Sequence, residues 1–580
     1  MSTEENQFGK FLKAQRKLQN ITLVQLSEGL LSVSMLSKIE RGERVCGKVL
    51  QDRLLNRLGE SSCEYETYVV RKDYRRWKLQ DTILDMIDFG CIKRIEQLLE
   101  EYKEIYAEDN KITKQFALIA QVNLMELKGE NIEDCFLVLQ EALKLTIPVG
   151  EKKEISDFIL SIDELNLILE YVTYQKQIDL KERYLEILRY LETRNFDKES
   201  RIKLYPKIVY YLCRYMNEQR KVCTSKKKAR QMAEEVETIS YQVIELLKSE
   251  KKLYFALELL QEQLDALDYL LSEEIILSSI KQKRYTKERQ QAREFLEAIN
   301  IMYETYEIPK RTNSYTYFYR EYNVYCINSV LRERRKMLQW KRKNFSDICA
   351  LKTITRMEHE EHDMQKRTEE RLLEKCHLPI SSWHSYVVTG DRDVLCLERQ
   401  FRTAISERNY KEAKKLLSYF KKNISMEIEM NHQYISYMEE VYIPYEEKKI
   451  SKELYVQKAI EKLAYTIPLK VALKSIKEKK LSNGILKKGE KYLTNIEVMI
   501  LCHITYVLKE QKEGEIYCDI LVEYFEKLMQ EKKIIPLVGM IMNLLNEKEE
   551  DSFLQLKHDI LKRQLQLRNM EYIKILRISR

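Results

Sequence analysis

The chain has 580 residues, more than one hydrophobic core usually holds, so several domains or a repeat array are expected. Only 13 Gly and 7 Pro interrupt it, which excludes a turn-rich β fold and points to helices joined by short connections. Lys and Arg number 100 against 92 Asp and Glu, and this excess of +8 is too mild to argue for nucleic acid by itself. No apolar leader and no apolar run of about 18 residues is seen, so neither secretion nor membrane spanning is expected. The 12 cysteines include no CxxC pair and read as reduced core thiols of a cytoplasmic protein.

Phe8, Phe11 and Leu12 open an apolar stripe that runs to Leu18. The spacing predicts a first helix with Lys10, Lys13, Arg16 and Lys17 on its polar side. Thr22 precedes LVQLSEGL as an N-cap, and Ser32 precedes VSMLSKIERGER in the same way. That third segment ends at Gly42. Two short helices joined by a tight turn make a helix-turn-helix over residues 7–60. A recognition helix enters the major groove N-terminus first, so Val33, Ser34, Ser37 and Lys38 are the candidate base contacts. Met35, Leu36 and Ile39 are assigned to the core. Arg16, Lys17, Gln25, Ser32, Arg41, Arg44 and Lys48 are candidate phosphate contacts, which fix register without reading sequence. Residues 1–65 carry only two more basic than acidic side chains, so one copy should bind weakly without a dimer or a second contact.

The segment LSEGLLSVSMLSKIERGER resembles the recognition region of XRE-type (Cro/repressor-like) regulators. Its shortened turn is similar to that of the Rgg/PlcR-type (RRNPP-like) quorum-sensing regulators, and RLLNRLGESSCEYETYV resembles the closing helix and exit linker of the same family. The resemblance covers about 60 residues. It implies a lambda-repressor-like domain followed by a TPR-like helical body, which in that family binds short signalling peptides and holds dimers together.

Farther along, the chain repeats itself. SEGLLSVSMLSKIERGE has a counterpart in SDICALKTITRMEHEE, and Arg16-Lys17 corresponds to Arg335-Lys336. RLLNRLG matches RLLEKCH at 371–377, and Tyr68-Val69-Val70 and Asp73 match Tyr386-Val387-Val388 and Asp391. ALKLTIP at 142–148 returns as KLAYTIP at 462–468, and LSIDELNLIL at 160–169 as LTNIEVMIL at 493–501. The expected organisation is all-α and internally duplicated. A helix-turn-helix domain occupies 1–68 and a TPR-like solenoid 70–310. A degenerate helix-turn-helix-like domain follows at 325–388, and a second TPR-like solenoid at 390–580. In the second copy Ala350 stands for the capping Ser32 and Glu360 for Gly42, while residues 325–385 are more basic. Arg335, Lys336, Lys352, Thr355 and Arg356 are possible second DNA contacts, and a decayed or backbone-only reader is favoured over a fully working one.

No nucleotide or hydrolase motif is present, and His359-Glu360-Glu361-His362 misses the HExxH spacing, so no enzyme activity, cofactor or metal is expected. The six aromatics of RTNSYTYFYREYNVYC at 311–326 read as the core of the junction between halves, and KKKAR at 226–230 as a polar loop. The expected function is sequence-specific binding of double-stranded operator DNA, controlled by a ligand or partner on the helical body. A short peptide is the ligand the resemblance implies, although no residue, Asn166 and Tyr171 included, can be assigned to it. Homodimer and intrachain pseudo-dimer both stay open. The alternative is a protein-interaction scaffold with a vestigial helix-turn-helix.

Overall fold

In the computed structural model almost all regular structure is helical. The structure describes residues 7–44, 46–62, 65–105, 110–147, 154–175, 179–272, 275–276, 278–310, 315–321, 323–359, 364–380, 382–467, 491–531, 538–545 and 551–570. Pro148, Pro468 and the acidic run 360–363 singled out from the sequence lie outside them.

The chain opens with α1 (Gln7–Leu18), α2 (Leu23–Ser27), α3 (Val33–Glu40) and α4 (Lys48–Arg57). Their ends follow from local chemistry. Thr22 and Gln25 form a reciprocal capping box on α2, and the Ser32 hydroxyl accepts from the Met35 amide to start α3. Gly42, at φ +75°, stops α3 and lets the Glu43 N–H return to the Lys38 carbonyl. The four helices close over Leu12, Leu26, Leu36, Ile39, Leu54 and Leu58.

A first helical array follows β1 (Tyr65–Val69). It comprises α5 (Arg71–Asp88), α6 (Ile92–Ile105), α7 (Lys111–Lys128), α8 (Ile132–Thr146), α9 (Ile162–Thr173) and α10 (Leu180–Thr193). It continues through α11 (Lys198–Val222), α12 (Lys226–Ser249), α13 (Ala256–Leu270) and α14 (Ser279–Thr305). Each helix packs mainly on its sequence neighbours, as an amphipathic stack requires. The basic run 226–230, expected as a loop, is instead the first turn of α12, because Ser225 supplies an N-cap to the Lys228 amide.

The junction holds α15 (Tyr315–Phe318) and β2 (Val324–Cys326). A second small unit is built from α16 (Ile327–Met337), a 3-10 turn at Arg342–Phe345, α17 (Leu351–Glu358) and α18 (Lys366–Lys375), and ends at β3 (Ser382–His384). The second array begins with α19 (Arg392–Ser406), α20 (Tyr410–Asn423), α21 (Glu429–Tyr437), a π-helical turn, α22 (Ile443–Glu446) and α23 (Lys452–Leu463). Helices Asn495–Val507, Lys512–Gln530, Val538–Leu545 and Asp551–Gln566 complete it.

The exit linker of the first unit is a strand, which the all-helical expectation did not contain. β1 is the centre of a three-stranded sheet, parallel to β2 with Thr67 opposite Val324 and antiparallel to β3 with Tyr65 opposite His384. It is five residues long, and the partners that satisfy its backbone lie more than two hundred residues away, so no local pattern marks it. The sheet therefore ties the exit of one small unit to both ends of the other. The arrays meet again at their far ends. The Leu253 N–H donates to the Arg568 carbonyl at 2.8 Å, and the Met570 N–H to the Lys251 carbonyl at 2.9 Å. Buried Arg568 lies over the Tyr303 ring.

Candidate nucleic-acid interface

Helix α3 has two unlike sides. Leu36, Ile39 and Glu40 are buried, while Val33, Ser34 and Lys38 are exposed and Ser37 is half-buried. The face proposed for base edges is therefore open to solvent. The Ser37 hydroxyl already accepts from the Arg41 guanidinium at 2.6 Å, and Arg41 also pairs with Glu43, so these side chains reach outward as a cluster. Lys17, Gln25, Ser32, Arg41 and Arg44 are exposed.

Two of the expected phosphate contacts are not on that surface. Arg16 is buried and forks onto both oxygens of Glu40 at 2.6 and 2.8 Å, while its remaining nitrogen donates to the Ile21 carbonyl. Lys48 is buried as well, bonded to Asp52 at 2.7 Å. For Arg16 the cationic stripe of α1 did not reveal that a carboxylate of α3 would meet it, whereas Lys48 meets Asp52 one turn along its own helix. Arg16 and Lys48 are struts of the unit, not phosphate contacts.

The second unit repeats this construction. Arg335 is buried, forks onto Glu358 at 2.5 and 2.9 Å and donates to the Trp340 carbonyl, so it too is withdrawn from the DNA-facing set. Burial would push the Glu358 carboxyl up, but Arg335 and Arg342 outweigh it and hold it below its ordinary value. Lys336, Lys352 and Arg356 are exposed, and the half-buried Thr355 hydroxyl turns back to the Leu351 carbonyl. Ala350 leaves α17 without a side-chain cap, and the helix before it is reduced to the 3-10 turn. Its Phe345 nonetheless reaches the core with Ile354, Met357 and Leu372.

How the units are held was not legible from motif spacing. Arg57 at the end of α4 is buried and bonds both oxygens of Glu164 in α9, at 2.9 and 2.7 Å. It also reaches the carbonyls of Leu26, Glu28 and Thr146. Burial acts to raise the Glu164 carboxyl, yet Arg57 and Arg53 hold it down at about 2. In the second half Arg334 does the same work, bonding both oxygens of Glu497 at 2.8 and 2.7 Å and the carbonyls of Cys376, Tyr492 and Thr466. The acceptors sit at matching places in the two arrays, but the arginine comes from the last helix of one unit and the first helix of the other. Around them, Gln115 bonds Thr146 as Gln433 bonds Thr466, and Ser161–Glu164 and Thr494–Glu497 are both capping boxes. Asn166, one of the residues left unassigned, is fully buried and bonds Lys207 and Tyr319.

The first unit also touches the second array. Phe11, Leu55 and Tyr65 enter its apolar core, Arg392 donates to Gln15 at 2.9 Å, and Arg399 pairs with Glu60. Among the described residues no group of three or more His, Cys, Asp or Glu is placed to hold a metal, and no helix is long and apolar enough to cross a membrane. Of the 11 described cysteines, six are buried.

No family model matches the chain, and no curated protein matches it. Among solved structures it is similar to Bacillus thuringiensis PlcR, determined in complex with the peptide PapR7 and DNA. The identity is 18%, over 50% of this chain and 96% of that one, with a TM-score of 0.27. At that score the functional assignment rests on this chain's own residues.

Proposed function

We propose that the chain is a DNA-binding transcription regulator that acts by binding rather than catalysis. Its two small units are paired DNA readers that arose by internal duplication. The observation that carries this reading is the repeated build of α3 and α17. Each is fixed from behind by a buried arginine–glutamate fork and leaves one face open from its N-terminus onward, with Val33, Ser34 and Lys38 in one and Leu351, Lys352 and Arg356 in the other. An open helix N-terminus with small polar and cationic side chains suits a major groove. The first unit, with capped helices and small polar groups, is the base reader; the second, with its uncapped helix and larger cations, chiefly grips phosphates.

The helical arrays serve as the control element. A ligand that prefers one arrangement of their stacked helices changes the separation of the readers and so their match to one operator. A short peptide is the class of ligand favoured by the family resemblance of the first unit. The sheet and the buried arginines leave little freedom between reader and array, so strain in an array reaches its reader directly.

The test is binding of the full chain to DNA from upstream of its own and neighbouring genes across a salt series, beside Ser34→Ala and Lys38→Ala. Each substitution is expected to weaken binding to the preferred sequence by roughly tenfold or more, with little effect on unrelated DNA. Lys352→Ala and Arg356→Ala should weaken all sequences alike and lower the salt slope by about one each. Binding that is equally weak on every sequence and indifferent to all four changes would reject the reading in favour of a protein scaffold.

A further inference from the structure

Between the arrays, residues 317–321 run across α5, α9 and α11 of the first array and are gripped there by side chains. The Tyr319 carbonyl accepts from Gln80 Nε2 and the Glu321 carbonyl from Trp77 Nε1, each at 2.8 Å. The Tyr319 hydroxyl accepts from Asn166 Nδ2 at 3.2 Å. Arg76 forks onto the Glu321 carboxylate at 2.8 and 2.9 Å, and the buried Arg320 guanidinium is held between Asp81 and Asp85. Phe318 lies near the ammonium of Lys207, itself fully buried and paired with Glu170.

Two aspects of this contact differ from ordinary core packing. A buried connection usually satisfies its backbone through turns or ladders, whereas here helix side chains hold two alternate carbonyls, those of Tyr319 and Glu321, as a groove holds a docked peptide. The segment also brings buried charge into the array, where Arg76 pairs with Glu321 and Arg320 with Asp81 and Asp85, and buried ion pairs of this kind serve specificity in some proteins more than net stability. The second array supplies the contrast. At the positions that match Asn166 and Glu170 it carries Met499 and His503, and at those that match Asp81 and Asp85 it carries Arg399 and Thr403. Met499 is buried in its apolar core. At these positions the first array, which holds the segment, has the recognition set and the second does not.

We propose that the first array is a peptide-binding surface whose resident ligand is the chain's own segment 317–321, and that this tethered ligand exchanges with a peptide of the same aromatic–aromatic–Arg–Glu chemistry supplied in trans. The inference stands on the contacts of the segment and not on DNA reading. Exchange has a mechanical consequence. Two residues beyond Glu321 the Asn323 carbonyl accepts from the Thr67 N–H at 3.0 Å, at the start of the β1–β2 pairing, so a bound segment holds the second unit in register and a released one frees it.

The experiment uses a fluorescein-labelled peptide TYFYREYNV, residues 316–324, titrated into the full wild-type chain and into Arg320→Ala. A tether gives its own segment a millimolar effective concentration, so the wild-type chain should resist the probe, while the variant, whose own segment is weakened, should take it up at least about tenfold more tightly. The same probe with its arginine replaced by alanine should lose that advantage. Equal weak binding to both chains, or binding indifferent to the probe's arginine, overturns the proposal. Hydrogen exchange on the wild-type chain keeps the test decisive if the variant does not fold. Unlabelled peptide at millimolar concentration should raise exchange at 319–326 and leave α12 unchanged, and no change at those residues is the contrary result.

Discussion

Arg16 and Lys17 are adjacent cations on one helix, and tertiary structure gives them opposite work. Arg16 is enclosed with Glu40, while Lys17 points to solvent. Arg16→Ala is expected to cost about 3–5 kcal/mol in urea unfolding, because it strands a buried carboxylate. Lys17→Ala should leave the unfolding midpoint in place and instead shallow the salt dependence of DNA binding by about one counterion. Gly59 is a second residue whose role is steric. At φ +74° it ends the turn after α4, and a Cβ there would stand 1.9 Å from the Asn195 carbonyl oxygen. Gly59→Ala therefore clashes with backbone as well as straining its own, and should lower the melting temperature by several degrees in a thermal scan.

At the scale of elements, the central strand carries a titrating group. Glu66 on β1 is buried, and burial pushes its carboxyl up to about 8 against the opposing hydrogen bonds from Ser385 and Tyr325. The folded state then holds a proton that the unfolded chain releases near its ordinary carboxylate value, so stability falls as pH rises from about 4.5 towards 8. Glu66→Gln should flatten the pH dependence of the melting temperature over that window. Glu164 behaves in the opposite sense. Held down at about 2 by Arg57 and Arg53, it contributes stability that is fully present above about 4.5 and is lost as pH falls through 2. That shift corresponds to about 3 kcal/mol, and Glu164→Gln should remove the acid-side slope while loosening the first unit from its array. Urea melts at pH 3 and pH 6 would separate the two contributions.

For the whole molecule, the sheet and the far-end contacts through Arg568 tie both small units into one body, and on the proposed reading the two units would stand in for the two readers of a dimer. Native mass measurement of the complex with its preferred DNA is expected to show one chain per site. Two chains per site would mean that the second unit does not replace a partner's reader.

Local order was written in the sequence. The caps at Thr22 and Ser32, the stop at Gly42 and the 3.6-residue apolar rhythm fixed the helices of the first unit, because each depends on residues within one turn. Four of the six junction aromatics read as core, Tyr317, Phe318, Tyr319 and Tyr325, are buried, while Tyr322 lies outside the described residues. What only tertiary structure decided is everything that depends on distant partners. Both strand partners of β1 lie beyond its own unit, Arg16 and Arg335 owe their burial to acids that packing brings over them, and Arg57 and Arg334 find Glu164 and Glu497 from opposite ends of their units. The physical reason is common to all of them. A hydrogen bond or ion pair between residues far apart in the chain leaves no periodic trace in either segment, and it is specified only when the helices have closed around it.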